Sequence, residues 1–105
     1  MENCIFCKIS NDEQAKKVYE SEKFYAVYDI NPISKGHLLI ISKTHYNDFF
    51  NLPSDLFEQL SQITTKCKEI LDEKYNPTGY SIISNIGKSA GQTVFHFHLH
   101  IIPRY

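Results

Sequence analysis

The chain has 105 residues, 42% of them hydrophobic and 22% charged, with a formal net charge of −1. That length fits one domain over residues 1–105 that buries about two-thirds of its unfolded surface, and the near-zero charge leaves no broad basic field for a nucleic-acid backbone. Apolar runs stay short of the ~18 residues of a membrane span, the opening MENCIFCKIS lacks the basic start and long apolar stretch of a secretory signal, and three cysteines, an odd number, suit a reducing compartment; a soluble, cytoplasmic protein with no membrane or nucleic-acid partner is expected.

In chain order, residues 4–9 read as a short helical turn and Asn11 to Lys17 as a polar loop. Lys17 to Glu20 is a candidate short strand paired with Phe24–Tyr28, whose aromatic, β-prone run ends at Asp29-Ile30-Asn31-Pro32. Gly36 opens the dense run His37 to Ile41, and its unbroken apolarity predicts a strand buried on both faces. The spacing of Leu56, Phe57, Leu60, Ile63, Cys67, Ile70 and Leu71 in threes and fours predicts a long helix over 54–75. Asp55 and Glu58 have capping-box spacing, and Asn76-Pro77 with Gly79 stops the helix. A strand over 80–86 follows, then a polar, glycine-bearing loop to Thr93, then a last strand. Strands, one long helix and more strands predict an α+β fold in which the helix covers one sheet face.

The last strand reads VFHFHLHII. Side chains alternate along a strand, so His96, His98 and His100 share one face at about 7 Å spacing, and Phe97, Leu99 and Ile101 share the other, toward the helix. One histidine there would suit an ordinary half-exposed strand. Three in strict alternation, in a chain with five in all, point to chemistry. A three-histidine metal site is one reading, although alternating residues on a straight strand converge poorly on one ion. Nucleophilic catalysis is the other, because imidazole attacks phosphorus and is largely neutral at pH 7. Cys4-x-x-Cys7 lacks the preceding strand of a redox pair. As a zinc half-site it needs two more ligands, and histidines are available.

His96-Phe97-His98-Leu99-His100-Ile101-Ile102 resembles the signature of the histidine triad (HIT) superfamily, three histidines each followed by an apolar residue. Asn85 and Gly91-Gln92-Thr93-Val94 are similar to the family's preceding loop. Gly36-His37 through Lys43 and His45 resembles another family segment, with Ser42 where proline is usual, and Cys4 to Ile9 resembles the opening of the small bacterial-type members. The resemblance covers essentially the whole chain. It implies a five-stranded antiparallel sheet with one long and one short N-terminal helix, the sheet continuing across a homodimer.

The resemblance also implies a nucleotide hydrolase. His98 would attack the α-phosphate, forming a nucleotidyl-histidine that water hydrolyses, and His100 would meet the phosphate. His37 would support the triad and Thr93 assist the leaving group. Backbone N–H groups from Gly91 to Val94 are further candidate phosphate donors, as are the Gln92 and Asn85 amides. Asp29 matches the position that binds ribose hydroxyls, and Ile5, Phe6, Ile9, Val27, Tyr28 and Ile30 an apolar slot for a purine base. Cys4, Cys7, His45 and His96 match a structural zinc site in relatives, with His96 nearer the sheet edge. Histidine at position 100, where the transferase branch carries glutamine, favours hydrolysis. The ending Ile102-Pro103-Arg104-Tyr105 is shorter than in most relatives, which bears on substrate choice. Purine nucleoside phosphoramidates are the expected substrates. The alternatives are dinucleoside polyphosphates, a nucleotide- and zinc-binding regulatory protein with little turnover, or a hydrolase with zinc on the triad.

Overall fold

The computed structural model describes residues 3–105. A short helix α1 (Ile5–Asn11) precedes strands β1 (Tyr19–Glu20), β2 (Phe24–Tyr28) and β3 (Leu38–Ser42). The long helix α2 (Phe57–Tyr75) is followed by β4 (Gly79–Ile83) and β5 (His98–Arg104). The strands form one antiparallel sheet in the order β1-β2-β3-β5-β4, so the fold is the expected α+β arrangement of a five-stranded sheet, a long helix and a short N-terminal helix.

The two faces of β3 explain the layering. Leu38 and Ile40 pack with Phe24, Ala26, Phe97, Leu99 and Ile101 under the α2 positions Leu60, Ile63, Cys67 and Leu71. Leu39 and Ile41 point the other way, into a smaller cluster with Phe6 and Tyr25. All five β3 residues are buried, as the unbroken apolar run predicts. A seven-residue helix has little stability alone; α1 is held by Phe6 and by the Tyr25 hydroxyl, which donates to the Phe6 carbonyl. It covers part of the second sheet face and leaves a cleft beside it.

Several boundaries differ from expectation. α2 begins after a 3-10 turn, Ser54–Leu56, that follows Pro53, and no side chain caps it, so Asp55 and Glu58 do not form a capping box. The side-chain cap lies upstream instead, where the Asp48 carboxylate accepts from the N–H groups of Phe50 and Asn51. The α2 end is as expected: Asn76 adopts the left-handed conformation at φ 52 and closes the helix. β4 stops at Ile83, three residues early, because the chain turns inward there and the Ser84 hydroxyl donates to the His98 carbonyl. β5 starts at His98, not at the first histidine, and runs on to Arg104. It lies between β3 and β4, so His96 precedes an interior strand and is not near a sheet edge. Gly36, at φ +88, passes so close beneath α2 that a Cβ there would lie 2.8 Å from the Tyr75 ring. No helix among the described residues is long and apolar enough to cross a membrane.

Candidate active site and thiol–imidazole cluster

Register sets the site. His98 pairs with Ile41 and His100 with Leu39, so both imidazoles project on the α1 side of the sheet while Leu99 and Ile101 turn to α2. Their ring centroids are 5.3 Å apart. They form the polar end of a cleft of ≈ 420 Å³ whose apolar walls come from α1 (Ile5, Phe6, Ile9), from the end of β2 (Val27, Tyr28) and from Ile30. Asp29, Thr93 and Val94 complete its rim. Leu39 also lines it and was not expected there. The unbroken apolar run predicts only a buried strand position for it, although it shares a face with Ile41 and therefore with the histidines.

The hydrogen bonds assign the tautomers. His98 Nδ1 lies 2.8 Å from the His96 carbonyl oxygen, so Nδ1 carries the hydrogen and Nε2 keeps its lone pair. The Phe6 ring packs edge-on to His98 at 5.0 Å and limits its rotation. His37 is buried behind His100. Its Nδ1 accepts the Ile33 N–H at 3.0 Å, so its Nε2 carries the hydrogen and donates to His100 Nδ1 at 2.9 Å. His100 must then carry its hydrogen on Nε2, as a fixed neutral donor. Asp29 lies 3.4 Å from His37 Nε2 and 3.8 Å from His100 Nδ1, while its other oxygen accepts the Asn31 N–H.

These three side chains come close enough to suggest a metal set, but the facing nitrogens of His37 and His100 share one hydrogen bond and leave no lone pair for an ion. The three triad imidazoles also face different partners, which disfavours zinc on the triad.

Burial holds the His37 pKa below the usual imidazole range, Arg104 adding to this and Asp29 opposing it. His100 is lowered by burial and by the neighbouring His98 and His37, again against Asp29. In an NMR pH titration both rings should change protonation state below pH 6.5, and Asp29→Asn should lower both further by removing the anion; a midpoint above 6.5 for either would contradict the geometry. The unfolded chain takes up these protons at about pH 6.5. The pair's contribution to stability is therefore present above that pH and is lost as pH falls through the folded-state values.

Thr93 is exposed, and the N–H groups of Thr93 and Val94 have no acceptor among the described residues. Both residues line the cleft. Asn85, Gly91 and Gln92 do not line the cleft. Gln92 is only 3% exposed; its side-chain N–H groups donate to Asn47 and Val94, and its Oε1 accepts from Gly87 N–H. It braces the loop instead of facing solvent. Asn85 lies against Gly91, which takes φ +98. Local sequence gave no signal for this inward folding, which depends on Asn47, 45 residues earlier.

His96 is fully buried and belongs to a second cluster. Its Nε2–H donates to the Ser42 carbonyl at 2.7 Å, which leaves Nδ1 bare. Nδ1 faces Cys4 Sγ at 3.3 Å, Cys7 Sγ at 3.5 Å and His45 Nδ1 at 3.1 Å, and Cys7 Sγ is 3.3 Å from His45 Nδ1. Tetrahedral zinc with ordinary bond lengths would space its ligands at about 3.3 Å between nitrogens and about 3.6 Å between nitrogen and sulfur. Two thiols and two imidazoles at these separations, one ring already oriented by a carbonyl, fit such an ion.

Comparisons with known proteins agree with this architecture. A model described as HIT domain matches residues 10–105. The chain is 43% identical over 105 residues to the protein called hit of Bacillus subtilis, covering 99% of this chain and 72% of that one. It is 38% identical over 107 residues to the adenosine 5′-monophosphoramidase of Candida albicans, covering 97% and 70%. The crystal structure of a HIT family protein from Bacillus anthracis superposes with a TM-score of 0.92 at 44% identity, covering 99% and 74%. By the domain match over residues 10–105 and by likeness in sequence and fold along nearly its whole length, the chain belongs to the HIT family.

Proposed function

We propose that the protein hydrolyses purine nucleoside phosphoramidates at the α-phosphorus through a nucleotidyl–His98 intermediate, releasing the nucleoside monophosphate. The observation that carries this is the His98 Nδ1 bond to the His96 carbonyl, which leaves a nucleophilic Nε2 at the polar end of an apolar cleft. The 38% identity to an adenosine 5′-monophosphoramidase supports the choice of substrate.

The base lies between Ile5, Phe6, Ile9, Val27, Tyr28 and Ile30, with Asp29 accepting from the ribose hydroxyls. Such walls hold a purine by apolar contact and distinguish bases weakly. His98 Nε2 forms the bond to phosphorus as the P–N bond breaks. The His100 Nε2–H and the N–H groups of Thr93 and Val94 stabilise the phosphate oxygens. Water then attacks phosphorus and frees His98. In the first step the leaving nitrogen takes a proton from solvent, passed through the Thr93 hydroxyl, and departs as the neutral amine; in the second the oxygen of the attacking water stays on phosphorus and its proton returns to solvent, so that one water is consumed overall. Cys4, Cys7, His45 and His96 would hold a structural zinc, which would cross-link the N-terminal helix to the segment just before β5 and supply no reacting atom. A homodimer joined along β4 is part of this reading; β4 is an edge strand, and Ile82 and Ile83 are exposed on it.

Single-turnover mixing with adenosine 5′-phosphoramidate tests the proposal. AMP should appear in stoichiometric amount, preceded by protein heavier by one adenylyl group in rapid-mixing mass spectrometry. Absence of AMP would overturn it.

A further inference from the structure

Cys4 and Cys7 stand one turn apart at the start of α1, with Cys4 as its N-cap residue, so the two thiols are neighbours on one face of the helix. Their sulfurs and the ligating nitrogens of His45 and His96 all lie within 4.8 Å of one another. Cys4 and His45 also line an open groove of ≈ 690 Å³ beside Ile5 and Phe95, so a small solute can reach the Cys4 sulfur from solvent. Cys7 is half-buried and does not line that groove. The third thiol, Cys67, is fully buried in the core under α2, out of reach of both. Between and just after the two thiols come Ile5, Phe6 and Ile9, one wall of the nucleotide cleft. A single short helix thus carries a reachable thiol pair and part of the nucleotide slot.

We propose that Cys4 and Cys7 are a modification site for hydrogen peroxide, and that their closure to a disulfide loosens α1 and weakens nucleotide binding. The consequence for binding rests on the nucleotide and zinc readings under Proposed function. The Cys4 sulfur attacks one peroxide oxygen and the O–O bond breaks. The other oxygen leaves as water with the thiol proton, and Cys4 becomes a sulfenic acid. The Cys7 sulfur then displaces that hydroxyl, giving the Cys4–Cys7 disulfide and a second water. Each sulfur gives up one electron and the peroxide takes both. The pair lacks the preceding strand of a disulfide-exchange catalyst, so its partner here is a small oxidant and not another protein. A metal is ligated by thiolate and not by a disulfide sulfur. The oxidised cluster therefore keeps two ligands of four and gives up its zinc. The bridge joins residues of one turn and leaves the helix without its tie to His45 and His96. α1 then retains only the Phe6 packing and the Tyr25 hydroxyl bond, too little for seven residues that do not persist alone. Ile5, Phe6 and Ile9 lose their fixed places in the slot with it.

The test treats the reduced, zinc-loaded full chain with hydrogen peroxide. The protein should become two hydrogens lighter, with Cys4 and Cys7 bridged inside the tryptic peptide that ends at Lys8 and Cys67 still a free thiol. Zinc should appear in a metallochromic indicator as the bridge forms, amide hydrogen exchange in α1 should quicken, and AMP should bind as weakly as it does to chelated protein. Dithiothreitol with added zinc should reverse all four changes. In Cys7→Ser the reaction should stop at a Cys4 sulfenic acid, trapped by dimedone, and in Cys4→Ser peroxide should leave AMP affinity where it was. A bridge to Cys67 or to a second protomer, thiols and zinc that outlast the peroxide, or a Cys4–Cys7 bridge with unchanged exchange in α1 would each overturn the switch. Reduced protein that binds no AMP would overturn the nucleotide reading, and faster exchange in α1 on oxidation would still support the site. Reduced protein that takes up no zinc would overturn the metal reading, and the bridge and the exchange in α1 would then decide the proposal.

Discussion

His98→Ala is expected to bind AMP nearly as wild type does and to lose at least about 10³-fold in AMP release from the phosphoramidate, ~4 kcal/mol of transition-state stabilisation. The substitution removes the one nitrogen in the cleft whose lone pair is free. His100 cannot replace it, since its Nδ1 is engaged by His37 and its Nε2 carries hydrogen. The apolar slot and Asp29 are untouched, so binding should persist. The fold should survive, because His98 lies in the cleft wall and not in either core cluster. Added imidazole has room to enter the vacated space and should restore part of the rate, an effect that repair of a folding defect would not show. AMP release at the wild-type rate by the variant would mean that another group attacks phosphorus.

Removal of metal should affect stability and nucleotide affinity together. The chain is expected to carry one zinc per protomer, and chelation or Cys7→Ser should lower the melting midpoint. A ligand bound only by the folded state stabilises it by about 4 kcal/mol at a free concentration a thousand times Kd. In a domain of this size that corresponds to on the order of 15 °C. The link to affinity comes from the interleaving of α1, where Cys4 and Cys7 alternate with the slot residues Ile5, Phe6 and Ile9. α1 is too short to persist without tertiary anchors. Once the cluster opens, it retains the Phe6 packing and the Tyr25 hydroxyl bond but loses its tie to His45 and His96. AMP binding followed by calorimetry should weaken at least about tenfold on chelation; Phe6 also touches His98, so the loss reaches the catalytic end. Protein free of zinc with an unchanged midpoint would show that the four side chains serve another purpose.

Where burial repeats with the period of a helix or strand, the residues announce it. Leu60, Ile63, Cys67 and Leu71 mark the inner face of α2, and the run from Leu38 to Ile41 marks a strand covered on both sides. The alternation of His98 and His100 with Leu99 and Ile101 assigns the sheet faces, and Ile5, Phe6, Ile9, Val27, Tyr28 and Ile30 of the apolar slot were legible from resemblance to a known pattern, whereas Leu39 was not. The parting of His96 from the other two histidines is clear only in part from the string. That ring stands outside the β5 ladder because the Ser42 carbonyl and two thiols some ninety residues earlier engage it. Tautomers are not written in a local pattern either. Which nitrogen of His37 carries hydrogen depends on the Ile33 N–H, and through it on the turn after β2; the state of His100, 63 residues onward, follows from that. Gln92 reads as a donor to a ligand until the loop closes on Asn47 and engages its amide. Periodicity reports which face a side chain takes, because backbone geometry repeats over a few residues. Hydrogen-bond direction and metal-ligand spacing depend on atoms from distant segments meeting within about 3 Å, and only the folded chain brings those together.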